Sequence, residues 1–289
     1  MDRPADYYER QYNNRLMIPD AEAYTVRGIA RSGAVRARLR SHLDVAYGPS
    51  ARQRIDIFRA AQPDAPMLSF IHGGYWRSRD KTEFSYIAEP FVAAGITVVM
   101  PDYDLAPAVS VETIVKQMLA AHAWLYRHGR EYGADPSRLF VAGHSAGGHL
   151  AAMMAAAKWE DYTGDGPGTV GARLPANLVK GACALSGVFD LMPILHFSFN
   201  QAIGLDAASA KAMSPITYSP VLPVPVYTAV GALESDEFKR QCRVLAEYWP
   251  HCVRGHLEVA GSNHLGMPEA LADPRNPLFR SVRDRVLNG

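Results

Sequence analysis

A serine between glycines carries the strongest chemical signal in this sequence. Gly143-His144-Ser145-Ala146-Gly147 has the form G-x-S-x-G, directly after the apolar run 138–142 and directly before an alanine-rich helical stretch. A serine on so tight a strand-to-helix turn is lifted above the sheet edge, near the positive end of the following helix. The flanking residues must be glycine because side chains would clash in the turn. Such a serine needs a base to take its proton and an acid to orient the base, and both follow it in the order acid, then histidine. His264, in Ala260-Gly261-Ser262-Asn263-His264-Leu265-Gly266, stands just after the last expected strand. The other histidines fit less well: His144 and His149 flank the elbow, His122 and His128 fall on a helix, and His251 and His256 flank the start of the final strand. The acid should end the preceding strand, where Gly231-Ala232-Leu233-Glu234 places Glu234. Asp236 stays open as an alternative, although it also suits capping of the next helix.

A second motif supplies what the serine lacks. His72-Gly73-Gly74-Tyr75-Trp76 follows the apolar run 67–71, the place of the HGGG-type loop in lipases and esterases. Glycines there let backbone N–H groups approach a developing oxyanion, each such donor being worth about 2.7–4 kcal/mol in the transition state. The candidates are Gly73, Gly74 or Tyr75 on this loop, with Ala146 behind the serine. His72 itself reads as a hydrogen-bonding residue that shapes the loop.

The elements that must position these groups are legible as patterns. Helices are expected over 6–14 and 20–39; the second carries Arg27, Arg31, Arg36, Arg38 and Arg40 and reads as a solvated basic face. Alternation over 42–47 and 53–59 around Gly48-Pro49 predicts an antiparallel hairpin. Nearly continuous apolar runs at 67–71, 96–100, 138–142, 179–185 and 224–230 predict parallel strands buried on both faces. A last strand fits 255–259. Helices fit 84–94, 111–132, 146–158, 236–249 and 277–287. The order predicts an α/β fold: a mostly parallel central sheet with antiparallel N-terminal strands and helices on both faces. One domain over 1–289 is expected, with a helical extension over about 1–40. Residues 159–177, including Gly164 to Gly168, read as a surface excursion, and 190–218 as a cap over the sheet edge.

Composition excludes several classes. The chain has 289 residues, with 30 basic and 29 acidic side chains, so no electrostatic footprint for nucleic acid exists. H-E-x-x-H, the P-loop and a strand-linked G-x-G-x-x-G are all missing, so no metal or cofactor is expected. The apolar stretch 150–157 is far short of the ~18 residues a spanning helix needs. No leader is visible at the N-terminus, and Cys183, Cys242 and Cys252 read as free thiols of a reducing compartment, so a cytoplasmic location is expected.

Longer stretches around these motifs resemble a known family. HGGYWR at 72–77, MPDYDLAP at 100–107, GHSAGGHLAA at 143–152 and SGVFDLMPI at 186–194 are similar to the kynurenine formamidase (arylformamidase) group of α/β-hydrolases. YYERQYNNR at 7–15 and the helix containing Glu237 and Gln241 resemble it too. The resemblance implies an α/β-hydrolase fold and hydrolysis of aryl formamides such as N-formylkynurenine, other N-acyl aryl amines, and simple esters. It implies Ser145, Glu234 and His264 as the catalytic set; Asp is the commoner acid in the family, so Glu234 is a departure and Asp236 stays open. A short acyl group is expected, because Tyr75 and Trp76 would crowd a long one. Phe189, His196, Phe197 and Phe199 either stack on an aromatic leaving group or pack the core of a cap. The expected partner is a small aryl amide or ester, with a homodimer allowed.

Overall fold

The computed structural model describes residues 6–162, 173–220 and 222–288. The chain opens with helices α1 (Tyr7–Tyr12), α2 (Asn14–Met17) and α3 (Ala21–Arg38), followed by strands β1 (Ser41–Ala46), β2 (Arg54–Phe58) and β3 (Ala65–Ile71). After a 3₁₀ segment at Lys81–Ile87 come α4 (Ala88–Ala93), β4 (Thr97–Pro101), α5 (Val111–His128), β5 (Ala134–His144) and α6 (Ala146–Ala156). The remaining strands are β6 (Val179–Leu185), β7 (Val226–Gly231) and β8 (Val253–Val259). Short helices α7 (Asn200–Ile203) and α8 (Ala207–Met213) lie between β6 and β7, α9 (Asp236–Tyr248) follows β7, and α10 (Met267–Leu271) and α11 (Pro277–Asn288) close the chain.

The eight strands form one sheet in the order β1-β2-β4-β3-β5-β6-β7-β8. β2 is antiparallel to β1 and β4, and every other neighbouring pair is parallel. The continuous apolar runs have the reason the sequence suggested: alternate residues serve opposite faces. Met67, Ile71, Val99, Leu139 and Val141 meet α5, α6 and α9 on one side. Leu68, Phe70, Val98, Met100 and Phe140 meet α4, α10 and α11 on the other. Because adjacent parallel strands need a crossover, the C-terminal ends of β3 to β8 all open onto loops along one sheet edge.

Three expectations are corrected here. The basic face of α3 is docked as well as solvated: Arg36 pairs with the fully buried Asp56, Arg38 with Glu89, and Arg27 with Glu269 at 3.1 Å. The 159–177 excursion is not wholly superficial, since Trp159 and Leu174 are buried; Gly164 to Gly168 lie outside the described residues. The expected helix over 84–94 begins as 3₁₀ from Lys81, where Asp80 caps it by accepting the Thr82 N–H at 2.8 Å. Among the described residues no helix is long and apolar enough to cross a membrane.

Candidate active site

Ser145 joins β5 to α6 with φ +58° and ψ −121°, a backbone state that L residues adopt only under constraint. The constraint is visible in the glycines around it. A Cβ on Gly143 would sit 2.0 Å from the Gly147 carbonyl oxygen, and one on Gly147 2.0 Å from that of Ile71. The Ser145 N–H is spent on the Leu185 carbonyl at 2.8 Å, which ties the elbow to β6. Ala146 is the first residue of α6, so its N–H has no intrahelical acceptor.

The acid and the histidine come from the last two strand ends, those of β7 and β8. His264 opens a 3₁₀ turn after β8, capped by Asn263, whose Oδ1 accepts the Gly266 N–H at 2.9 Å. Its Nδ1 lies 2.6 Å from Glu234 Oε2, and both side chains are buried. The other carboxylate oxygen accepts the Gly231 N–H at 2.7 Å and the Ser186 hydroxyl at 2.5 Å. Glu234 therefore has three donors around two oxygens, and its orientation has little freedom. Phe238 packs on the His264 ring at 4.2 Å between centroids and His144 at 4.6 Å, so the ring is wedged by two neighbours. Burial first, and then neighbouring His264, holds the His144 imidazole well below the usual histidine range, so it stays neutral. Asp236 is exposed on the first turn of α9 and touches neither histidine; the cap of that helix is Ser235, not Asp236 as expected.

The glycine loop lies against the elbow. A Cβ on Gly73 would stand 2.9 Å from Ser145 Cβ, so only glycine permits this approach. His72 shapes the loop: Nδ1 contacts the Gly73 carbonyl at 2.8 Å and Nε2 the Asp102 carboxylate at 2.9 Å. Holding that carbonyl turns the Gly74 N–H the opposite way, because the two are antiparallel across a trans peptide. Asp102 is itself held by Arg52 at 2.8 Å, and the Tyr103 hydroxyl donates to the His72 carbonyl at 2.9 Å. The segment 100–107 thus underpins the loop at 72–76. Gly74, Tyr75 and Trp76 all have positive φ, at +115°, +50° and +55°.

Ser145, His264, Gly73, Gly74 and Tyr75 line one cavity of about 480 Å³, a size suited to a small molecule. Its far wall comes from the N-terminal helices, with Asn13, Asn14, Arg15, Glu22, Tyr24, Thr25 and Gly28 among its lining. That wall is clamped by long-range bonds. Tyr12 donates its hydroxyl to Glu237 at 3.0 Å, its carbonyl accepts the Tyr75 hydroxyl at 2.7 Å, and Asn263 donates to Tyr24 at 3.0 Å.

Of the residues expected to contact substrate, Tyr75 and Phe199 line the cavity. Trp76, Phe189 and Phe197 do not; at 0%, 0% and 2% exposure they belong to the core. Trp76 stands edge-on to His149, and Phe197 packs between Tyr12 and Tyr75. His196 is exposed and stacks on Tyr8 at 5.5 Å. Residues 190–218 thus contribute Phe199 alone to the cavity lining, while Leu191, Ile194, Ile203 and Met213 enter the core on the α6 side. Sequence reasoning missed Ser186, Arg77 and the N-terminal wall. Only the family-like stretches at 7–15, 72–77 and 186–194 marked them.

Residues 68–202 match the family profile described as the alpha/beta hydrolase fold. The kynurenine formamidase of Danio rerio is 29% identical over 281 residues, spanning 92% of this chain and 89% of that protein. That of Salmo salar is 30% identical over 240 residues, spanning 80% of this chain and 76% of that protein. The chain belongs to the kynurenine formamidase family of α/β-hydrolases. A solved structure from Silicibacter sp. TM1040, described provisionally as a thioesterase, is 32% identical, covers 93% of this chain and 96% of its own, and superposes with a TM-score of 0.79. As a member of the family, the chain is a hydrolase of amide or ester bonds acting on a small molecule. The stretches at 72–77, 100–107 and 143–152, which carry the resemblance, all converge on the glycine loop and the elbow.

Proposed function

We propose that Ser145, His264 and Glu234 are the catalytic set of an aryl-amide hydrolase that favours formyl or short acyl groups, N-formylkynurenine-like substrates included. The observation that carries this reading is the buried Glu234–His264 contact at 2.6 Å, whose histidine lines one cavity with Ser145 and the glycine loop. Ser145 attacks the carbonyl carbon while His264 takes its proton at Nε2. The oxyanion is held by N–H groups of Ala146 and of Gly73, Gly74 or Tyr75. Glu234 keeps the second proton of the imidazolium on Nδ1 and balances its charge. The imidazolium then delivers a proton to the amine nitrogen as the C–N bond breaks. Water, activated by the same histidine, attacks the acyl-serine and releases the acid. Tyr75 supports the small-acyl preference: it lines the cavity next to the oxyanion glycines, and its hydroxyl is held by the Tyr12 carbonyl, so it does not swing aside. The reading needs no metal or cofactor, and the buried free thiols agree with a cytoplasmic setting; whether a homodimer forms is answered by light scattering.

The test is a kcat/KM panel of N-formylkynurenine, N-formyl and N-acetyl arylamines, and aryl esters. The expected result is the highest value for a formyl aryl amide. Turnover of aryl esters with none of any aryl amide would replace the reading with that of a short-chain carboxylesterase.

A further inference from the structure

The cavity contains a charge that this chemistry leaves unused. Arg77 is half-buried and lines the same cavity as Ser145 and His264. Its guanidinium carbon lies 4.5 Å from the centroid of the Phe199 ring. Among the described residues, its side chain makes no hydrogen bond and no ion pair. Its neighbour Arg79 is different: it donates to Thr25 at 2.8 Å and to Glu83 at 2.7 Å, so both its charge and that of Glu83 are spent. The remaining charges on the lining, Arg15 and Glu22, are exposed and carry little weight in so wet a position.

A half-desolvated guanidinium without a counter-ion is unfavourable unless an anion completes it. The Phe199 ring covers one side of the group, and its N–H donors are left to a ligand. That fork matches a carboxylate in a bidentate pair, which a lysine cannot reproduce. Phe199 is also the aromatic residue of the 190–218 segment that reaches the cavity, so an apolar ring face and an anion site lie side by side.

We propose that Arg77, seated on Phe199, is an anion-binding subsite that selects aryl substrates carrying a carboxylate on the leaving group. This rests on the reading of Ser145 as the nucleophile of an aryl-amide hydrolase. Arg77 is a specificity residue here and takes no part in bond breaking. The apolar contact accepts the ring, the fork accepts the carboxylate, and together they hold the scissile carbonyl in one orientation against the glycine loop.

The experiment compares matched formanilides bearing, on a side chain of zero to three carbons ortho to the nitrogen, either a carboxylate or the isosteric carboxamide. The wild type is expected to prefer the best carboxylate at least tenfold in kcat/KM, mainly through KM. Arg77→Gln is expected to bring that ratio to within about twofold of one, and Arg77→Lys to leave an intermediate ratio. Rising salt is expected to reduce the wild-type preference. No preference at any chain length, or an unchanged ratio in Arg77→Gln, overturns the proposal. A separate measurement isolates it from the catalytic reading: calorimetric titration of 2-aminobenzoate into Ser145→Ala and into Ser145→Ala/Arg77→Gln. Binding to the first that is at least tenfold weaker in the second supports the subsite even if no aryl amide is turned over. Equal binding, or none to either, refutes it even if the amidase reading stands.

Discussion

Replacing Glu234 by glutamine probes the site at its most constrained atom. Oε1 accepts from the Gly231 N–H at 2.7 Å and from Ser186 at 2.5 Å, while Oε2 faces His264 Nδ1 at 2.6 Å. A glutamine must keep its carbonyl oxygen toward Gly231, because an NH₂ group there would confront a backbone donor and leave it unsatisfied, at about 1–3 kcal/mol. The NH₂ group is therefore forced toward His264 Nδ1. That nitrogen must now accept, so the ring proton moves to Nε2, the atom that has to take the proton of Ser145. The catalytic tautomer is then disfavoured, and the imidazolium loses its counter-charge. The same change in the serine–histidine–aspartate template costs about 10⁴ in kcat, or ~5.5 kcal/mol of barrier. We expect Glu234→Gln to lose 10³–10⁴ in kcat with little change in KM, on the order of that template. Asp236→Asn is expected to stay within about twofold, since Asp236 touches only solvent and its own helix start. The assay is steady-state hydrolysis of an aryl acetate, normalised by active-site titration with an organophosphonate. A Glu234→Gln enzyme within tenfold of wild type, or an equal loss in Asp236→Asn, would refute the reasoning.

Four further outcomes are expected. Ser145→Ala keeps the fold, as read by circular dichroism, and loses activity by several orders of magnitude; phosphonate labelling of a different serine in the wild type would contradict it. Ser186, buried at φ +48°, donates to Glu234, so Ser186→Ala and Ser186→Gly both lower kcat roughly tenfold, the loss expected when one buried hydrogen bond to a charged group is removed; Ser186→Gly melts higher than Ser186→Ala because glycine tolerates that φ, and the opposite melting order counts against the strain. In an acyl series from formyl to octanoyl on one aryl leaving group, kcat/KM falls with length because Tyr75 is held beside the glycine loop; a rise would remove Tyr75 as the limit. Burial lowers His122 and His149 to about 4, so between pH 6.5 and 4 the unfolded chain binds protons that the folded one refuses. Stability must therefore fall as pH falls through that window, by up to about 3 kcal/mol for each histidine, and His122→Gln must flatten the dependence of the urea midpoint; an unchanged dependence would refute the burial argument.

Local pattern was enough where a function depends on a few consecutive residues. The strand, the tight turn and the alanine-rich helix around Ser145 were readable because the turn admits only glycine at 143 and 147, and the inner strands of the parallel sheet, unlike the edge strand β8, carry short apolar runs. The position of Glu234 after β7 and of His264 after β8 followed from the order in which strand ends reach the same sheet edge. Tertiary packing decided the rest. Glu234 and Asp236 are both carboxylates two residues apart; the turn at Gly231 buries the first against His264 and leaves the second in water. The aromatic residues near the site divide the same way: Phe199 reaches the cavity and Arg77 stacks on it, while Trp76, Phe189 and Phe197 fill the core. The helices before residue 40 wall the cavity because Tyr12, Tyr24 and Tyr75 form bonds across more than sixty to more than two hundred residues of chain. A residue's type states what it can bond to; which partner it meets is set by contacts between segments far apart in sequence, and these exist only once the chain has folded.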